Sequence, residues 1–180
     1  MKRIITFLLF TLLASIGYAQ NFTPVDEGSS VKFTIKNFGF STSGSFSGLK
    51  GSVRFDADNT ANASFSVSLN AGSVNTDNQA RDKHLRKEEY FDIEKYPLIS
   101  FVSSSVSANA KPGTYLMLGK LTIKGIAKDI YFPFTATAQN DGYLFSGSFK
   151  INRRDFKVGG SSMVLADNLK VLLSVFAKKN

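Results

Sequence analysis

Few side chains in this 180-residue sequence are suited to chemistry, and their types narrow what it can do. His84 is the only histidine and cysteine is absent. Neither a histidine cluster for zinc nor a closed thiolate site can therefore form, and no metal is expected. Asp82 or a serine paired with His84 would supply a nucleophile and its base. A lone histidine in a charged segment more often serves as a hydrogen-bonding or capping residue, so no catalytic residue is assigned. The acids between Asp77 and Glu94 are interspersed with bases and lack EF-hand spacing, which suits a solvated face rather than a calcium loop. No glycine cluster falls between a strand and a helix in a phosphate-cradling pattern.

The elements that position these residues are strands. Val31, Phe33 and Ile35 alternate with Lys32, Thr34 and Lys36, and Phe65, Val67 and Leu69 alternate with Ser64, Ser66 and Ser68. This period of two marks strands with one apolar and one wet face. Gly44, Gly48 and Gly51 punctuate Phe46, Val53 and Phe55, as a glycine-rich bend leading into a further strand would. Later strands are expected over 98–106, 114–124, 128–138, 143–151 and 169–177. The total is about eight, with short turns, the pattern of an antiparallel barrel or sandwich in one all-β domain. The segment from Asp77 to Tyr90 breaks the alternation and is expected to form one short surface helix.

The first residues read as a secretory signal. Lys2 and Arg3 precede a mostly apolar run from Ile4 to Ile16, and Gly17-Tyr18-Ala19 offers small residues to a signal peptidase. Residues 1–19 are thus expected to be removed, leaving residues 20–180 as a soluble exported protein, periplasmic or secreted. Loss of Lys2 and Arg3 lowers the formal charge from +8 to +6. The remaining basic residues are spread over many strand faces and not gathered with exposed aromatics, which argues against nucleic acid as a partner. At most a peripheral membrane contact is expected, and the oligomeric state is left open.

Phenylalanine occurs 17 times and tryptophan never, and many of the rings lie on the apolar side of alternating strands. They either fill a solid core or line a cavity that an apolar guest completes, since both occur in eight-stranded barrels. The inferred inward rows contain Val31, Phe33, Ile35, Phe46, Phe55, Phe65, Val67, Phe101, Gly119, Leu121, Ile123, Phe132, Phe134, Ala136, Phe145, Gly147 and Phe149. Within them the rows Met117-Gly119-Leu121, Phe145-Gly147-Phe149 and Phe134-Ala136-Ala138 pair large residues with very small ones near strand centres, which is expected to leave a lumen there.

Four separated motifs together resemble the YceI family of exported, lipocalin-like proteins associated with polyisoprenoid lipids. The first is Gly44-x-Phe46 with Gly51-x-Val53-x-Phe55-Asp56. The second joins Ser73-Val74-x-Thr76, Arg81-Asp82-x-His84-Leu85, Phe91-Asp92 and Tyr96-Pro97-x-Ile99-x-Phe101. The third is Gly119-x-Leu121-Thr122-Ile123-x-Gly125-x-x-Lys128, and the last is Arg153-x-Asp155-Phe156. Ser29-Ser30 stand where the family often has a histidine, and Lys157 where it often has a glycine. The resemblance implies an elongated lipocalin-like antiparallel barrel with an apolar tunnel and a helical segment near one end. It also implies binding, storage or transport of a long-chain apolar lipid, with no cofactor other than a bound isoprenoid or quinone-like lipid. Arg81, Asp82, His84, Arg153 and Asp155 become candidates for a mouth or structural motif. The competing readings are a lipocalin-fold enzyme using His84 and a structural or stress-related β protein with a filled core.

Overall fold

The protein is described by a computed structural model over residues 20–180; the expected signal segment 1–19 lies outside the described residues. Among the described residues ten strands form: β1 (Gln20–Pro24), β2 (Ser30–Asn37), β3 (Phe40–Phe46), β4 (Lys50–Phe55), β5 (Ser64–Asn70), β6 (Leu98–Ala108), β7 (Thr114–Ile123), β8 (Ile126–Gln139), β9 (Gly142–Asn152) and β10 (Leu165–Lys179). One α-helix, α1 (Gln79–Leu85), lies between β5 and β6. It is shorter than the Asp77 to Tyr90 stretch that sequence suggests, and the Asn78 side chain fixes its start by accepting the Arg81 N–H at 2.9 Å.

The ten strands make a barrel of eight. The ring runs β1-β4-β5-β6-β7-β8-β9-β10 and closes through β1 against β10, all neighbours antiparallel. β2 and β3 extend β1 and β4 beyond a bend. Accordingly β10 pairs with β2 over Leu165–Ser174 and with β1 over Ala177–Lys179. The two bends are tied by Asp26, whose carboxylate accepts the Gly48 and Leu49 N–H groups at 2.9 and 3.0 Å. Gly48 has φ +79°, which is why glycine suits the bend that the sequence marks there.

The strands expected over 98–177 are present with bounds shifted by a few residues. β7 shows why the alternation was readable: Tyr115, Met117, Gly119, Leu121 and Ile123 are buried while Leu116, Leu118 and Lys120 are exposed. At one end of the barrel the connections are short. At the other, the long segments 71–97 and 153–164 cross between strands. This asymmetry separates a filled half from an open one.

Candidate functional site

In the half with short connections, aromatic side chains fill the interior. Phe55, 1 % exposed, packs edge-to-face with Tyr115 (ring centroids 5.1 Å), Phe145 (5.2 Å) and Tyr143 (5.3 Å). Phe65 and Phe134 join the same cluster at 5.7 Å. An eight-stranded barrel is only wide enough for its own side chains or one small guest, and rings of this size leave no room. Burial, together with the charges of Tyr143, Asp58 and Asp56, pushes the Tyr115 hydroxyl above its ordinary pKa.

Phe101, Phe132 and Phe149 form a floor across the middle. Phe132 stands 4.8 Å from Phe149 and 6.0 Å from Phe101, ring to ring. Above them lies a cavity of about 420 Å³, lined mainly by aliphatic side chains. Val31, Leu69, Ile99, Leu121, Ile123, Val171, Leu173 and Val175 replace the rings of the filled half, and their smaller volume leaves the space. The size falls within the ordinary range of ligand pockets, roughly 300–1,000 Å³.

The mouth of the cavity is built by the two long connections. Asp82 is buried, and its Oδ1 accepts from the Thr76 N–H at 2.9 Å and the Thr76 hydroxyl at 2.5 Å. Arg81 Nε donates to the Thr76 hydroxyl and its Nη2 to the Thr76 carbonyl, both at 2.7 Å. Arg86 secures the same loop by donating to the Gly72 and Val74 carbonyls at 2.8 and 3.1 Å. Arg153, 4 % exposed, donates to the carbonyls of Ala166, Val158, Gly160 and Leu165 and to Asp167 Oδ1. Such a multiply bonded guanidinium fastens the 153–167 segment as a charge-assisted latch. A backbone bond from Gly159 N–H to Glu89 O, 2.9 Å, joins the two mouth segments.

The sequence-derived lining divides along the barrel axis. Val31, Phe33, Ile35, Phe46, Val67, Phe101, Leu121, Ile123 and Phe149 border the cavity, as do Arg81, His84 and Arg153. Phe55, Phe65, Phe132, Phe134 and Phe145 belong instead to the filled half, with Ala136 packed against them. The lumen expected at Gly119, Gly147 and Ala136 is therefore corrected. A Cβ on Gly119 would fall 2.5 Å from the Val102 carbonyl oxygen and would also strike the Phe101 ring, and one on Gly147 would lie 3.2 Å from Phe132. These glycines make room for the floor rings and leave no void.

Asp82 and Asp155 do not border the cavity: Asp82 is consumed by Thr76, and Asp155 is exposed on a 3-10 turn. Nor do Asp82 and His84 form a couple. The His84 imidazole lies 3.7 Å from Glu89 and edge-on to Tyr90, half exposed. Among the described residues no group of three His, Asp or Glu side chains is placed to hold a metal ion.

Sequence reasoning missed the inward row of β10: Leu169, Val171, Leu173 and Val175 all line the cavity. The signal was present as alternation, but Leu172 and Phe176 on the opposite row made both faces of that strand apolar. Ile151, Leu69 and Ile99 were missed beside it.

A family model described as YceI-like domain matches residues 22–177. A UPF0312 protein of Yersinia enterocolitica is 31% identical over 175 residues, spanning 93% of this chain and 90% of its own. The crystal structure of BcnA from Burkholderia cenocepacia is similar at TM-score 0.80 and 27% identity, covering 86% of this chain and 99% of that one. The YceI protein of Campylobacter jejuni gives 0.67 and 29%, over 76% and 84%. A Saccharophagus degradans domain described as polyisoprenoid binding has TM-score 0.70 at 14% identity, over 91% of this chain and 100% of that one, and shares the fold.

Proposed function

The chain belongs to the YceI-like family, and from that premise we propose that it binds and carries, or stores, a long-chain apolar lipid of polyisoprenoid type. The observation that supports the reading is the one-sided cavity, apolar along its walls, floored by Phe101 and Phe149, which rest on Phe132, and open between two latched loops. Moving each ~100 Å² of apolar surface from water into such walls contributes about 2.5 kcal/mol, so a chain needs no charged anchor to be held. A polar head group would remain at the mouth beside Arg81 and His84. The Lys2 to Ala19 pattern supports a role in the cell envelope or outside the cell, where a lipid must be shielded from water to cross an aqueous space.

Mass spectrometry of an organic extract from protein purified without detergent tests the proposal. A long-chain isoprenoid recovered in near-stoichiometric amount is expected; a protein that carries no lipid and takes up none when offered polyprenyl lipid would overturn it. The enzymatic alternative has its own test in His84→Asn. With the Asp82 carboxylate committed to Thr76 and His84 half exposed, this change is expected to leave lipid uptake intact and to alter stability by no more than about 0.5 kcal/mol. A reaction abolished by it in a folded protein would favour the enzyme.

A further inference from the structure

The mouth of the barrel carries an apolar tip that its packing does not use. Phe38 is 69 % exposed, Phe40 78 % and Met163 fully. Phe38 lies in the tight turn between β2 and β3 and Phe40 follows it, and Met163 lies in the segment entering β10. The two loops sit side by side, for the Phe38 N–H donates to the Val164 carbonyl at 2.9 Å. Their immediate neighbours Asn37, Ser162 and Val164 line the cavity, so the exposed side chains border its entrance.

Phe38 is also in the wrong conformation for its type. Phe38 and Gly39 have φ of +50° and +78°, the left-handed pair of a two-residue hairpin turn that favours Asn-Gly. A bulky residue there is backbone strain, added to the cost of exposing a ring to water. Neither cost is recovered within the described residues.

Charge tells what the tip meets. On the outward face below it, Lys170 of β10 stands opposite Lys150 of β9 and Thr34 of β2, with Lys32 and Lys36 two residues to either side of Thr34. The outward rows of these strands, Ser30 to Lys36, Ser146 to Lys150 and Asn168 to Ser174, contain no acid. The acids of the mouth lie off these rows: Asp77 precedes α1, Asp82 lies within it, and Glu88, Glu89, Asp92 and Glu94 follow it, while Asp155 sits on the 3-10 turn and Asp167, at the start of β10, is paired with Arg153 and Arg154. An apolar tip backed by an unopposed lysine stripe matches a surface that is negative outside and apolar beneath.

We propose that the protein docks on an anionic lipid bilayer through this tip, with Phe38, Phe40 and Met163 entering the headgroup region and the lysine stripe facing the membrane. The cavity entrance is then held against the surface from which an apolar lipid would be drawn. This last step rests on the carrier reading; the docking itself does not.

Flotation of the purified protein with vesicles tests it, using phosphatidylcholine alone and an equimolar mixture with phosphatidylglycerol. The protein is expected to float with the mixed vesicles, less with the neutral ones, and less at high salt. The variant Phe38→Asn, Phe40→Ser, Met163→Ser should bind the mixed vesicles at least about tenfold more weakly, and Lys36→Gln with Lys170→Gln several-fold more weakly. The tip variant should melt no lower than the parent, since asparagine suits the turn. Its uptake of polyprenyl lipid in the absence of vesicles should be unchanged. Failure of the parent to float, equal flotation of the tip variant, or a tip that merely joins two copies of the chain in solution would overturn the proposal. Flotation that persists in a protein unable to take up polyprenyl lipid would sustain docking while removing the carrier reading.

Discussion

The two halves of this barrel share strands, register and alternation, yet one is solid and the other encloses a cavity. β5, β6, β7 and β9 run through both. In the half with short turns their inward positions hold Phe65, Val106, Tyr115 and Phe145, whereas in the other they hold Leu69, Ile99, Leu121 and Ile151. A barrel of constant strand number has a nearly constant bore, so exchanging rings for aliphatic chains opens space without changing the fold. The closing loops differ in the same sense. The filled half is closed by the connections 56–63, 109–113 and 140–141, while the open half is bounded by the longer segments 71–97 and 153–164, which need Asp82, Arg86 and Arg153 to hold them in place. Stability and ligand space are thus assigned to opposite ends of one sheet.

The contrast can be broken most severely at Phe55. Phe55→Ala removes a ring that touches five aromatic neighbours in a region without slack, and should cost about 3–5 kcal/mol in urea denaturation; a loss below about 1 kcal/mol would mean that the filled half is not packed as described. At the floor, Gly119→Ala forces a methyl towards the Val102 carbonyl and the Phe101 ring. A cost of about 1–3 kcal/mol is expected, and a neutral or stabilising outcome would restore the void that sequence suggested there. The smallest effect concerns Tyr115 in the filled half, whose hydroxyl pKa is raised by burial and by Tyr143, Asp58 and Asp56. Because the folded pKa exceeds the unfolded value near 10, this group's contribution is complete below about pH 10. It is lost as pH rises through the folded pKa. Denaturation at increasing alkalinity should therefore show a decline in stability that is reduced in Tyr115→Phe; identical decline in both would dissociate the burial from the linkage.

The β architecture was legible because alternation records which way each side chain points, and nearly every strand after Ser30 alternates cleanly. What alternation does not record is position along the barrel axis. Phe134 and Phe149 give the same pattern, although one fills the closed half and the other borders the cavity. Gly119 and Gly147 were ambiguous for a related reason. Whether a small residue marks a void or a seat for a ring depends on its neighbour across the sheet, and the neighbours of Gly119 and Gly147 are Phe101 and Phe132. Arg81, Asp82 and Arg153 were visible as residues, but their use as clips depends on backbone groups that only the folded loops bring together, carbonyls for the arginines and the Thr76 N–H for Asp82. β1 was missed because Gln20–Pro24 is too short to display a period.

The division of labour is tested most directly by filling each half with the same side chain. Val171 borders the cavity between Phe149 and Phe33, while Ala136 packs against the filled cluster opposite Phe145. Thermal melts of delipidated parent, Val171→Phe and Ala136→Phe are compared with and without polyprenyl lipid. A ligand bound only by the folded state raises the melting temperature. The account predicts a rise for the parent, a rise largely lost in Val171→Phe with the lipid-free protein still folded, and a rise kept in Ala136→Phe despite a cost of about 1 kcal/mol or more. No rise in the parent, or a rise abolished by Ala136→Phe and untouched by Val171→Phe, would contradict it.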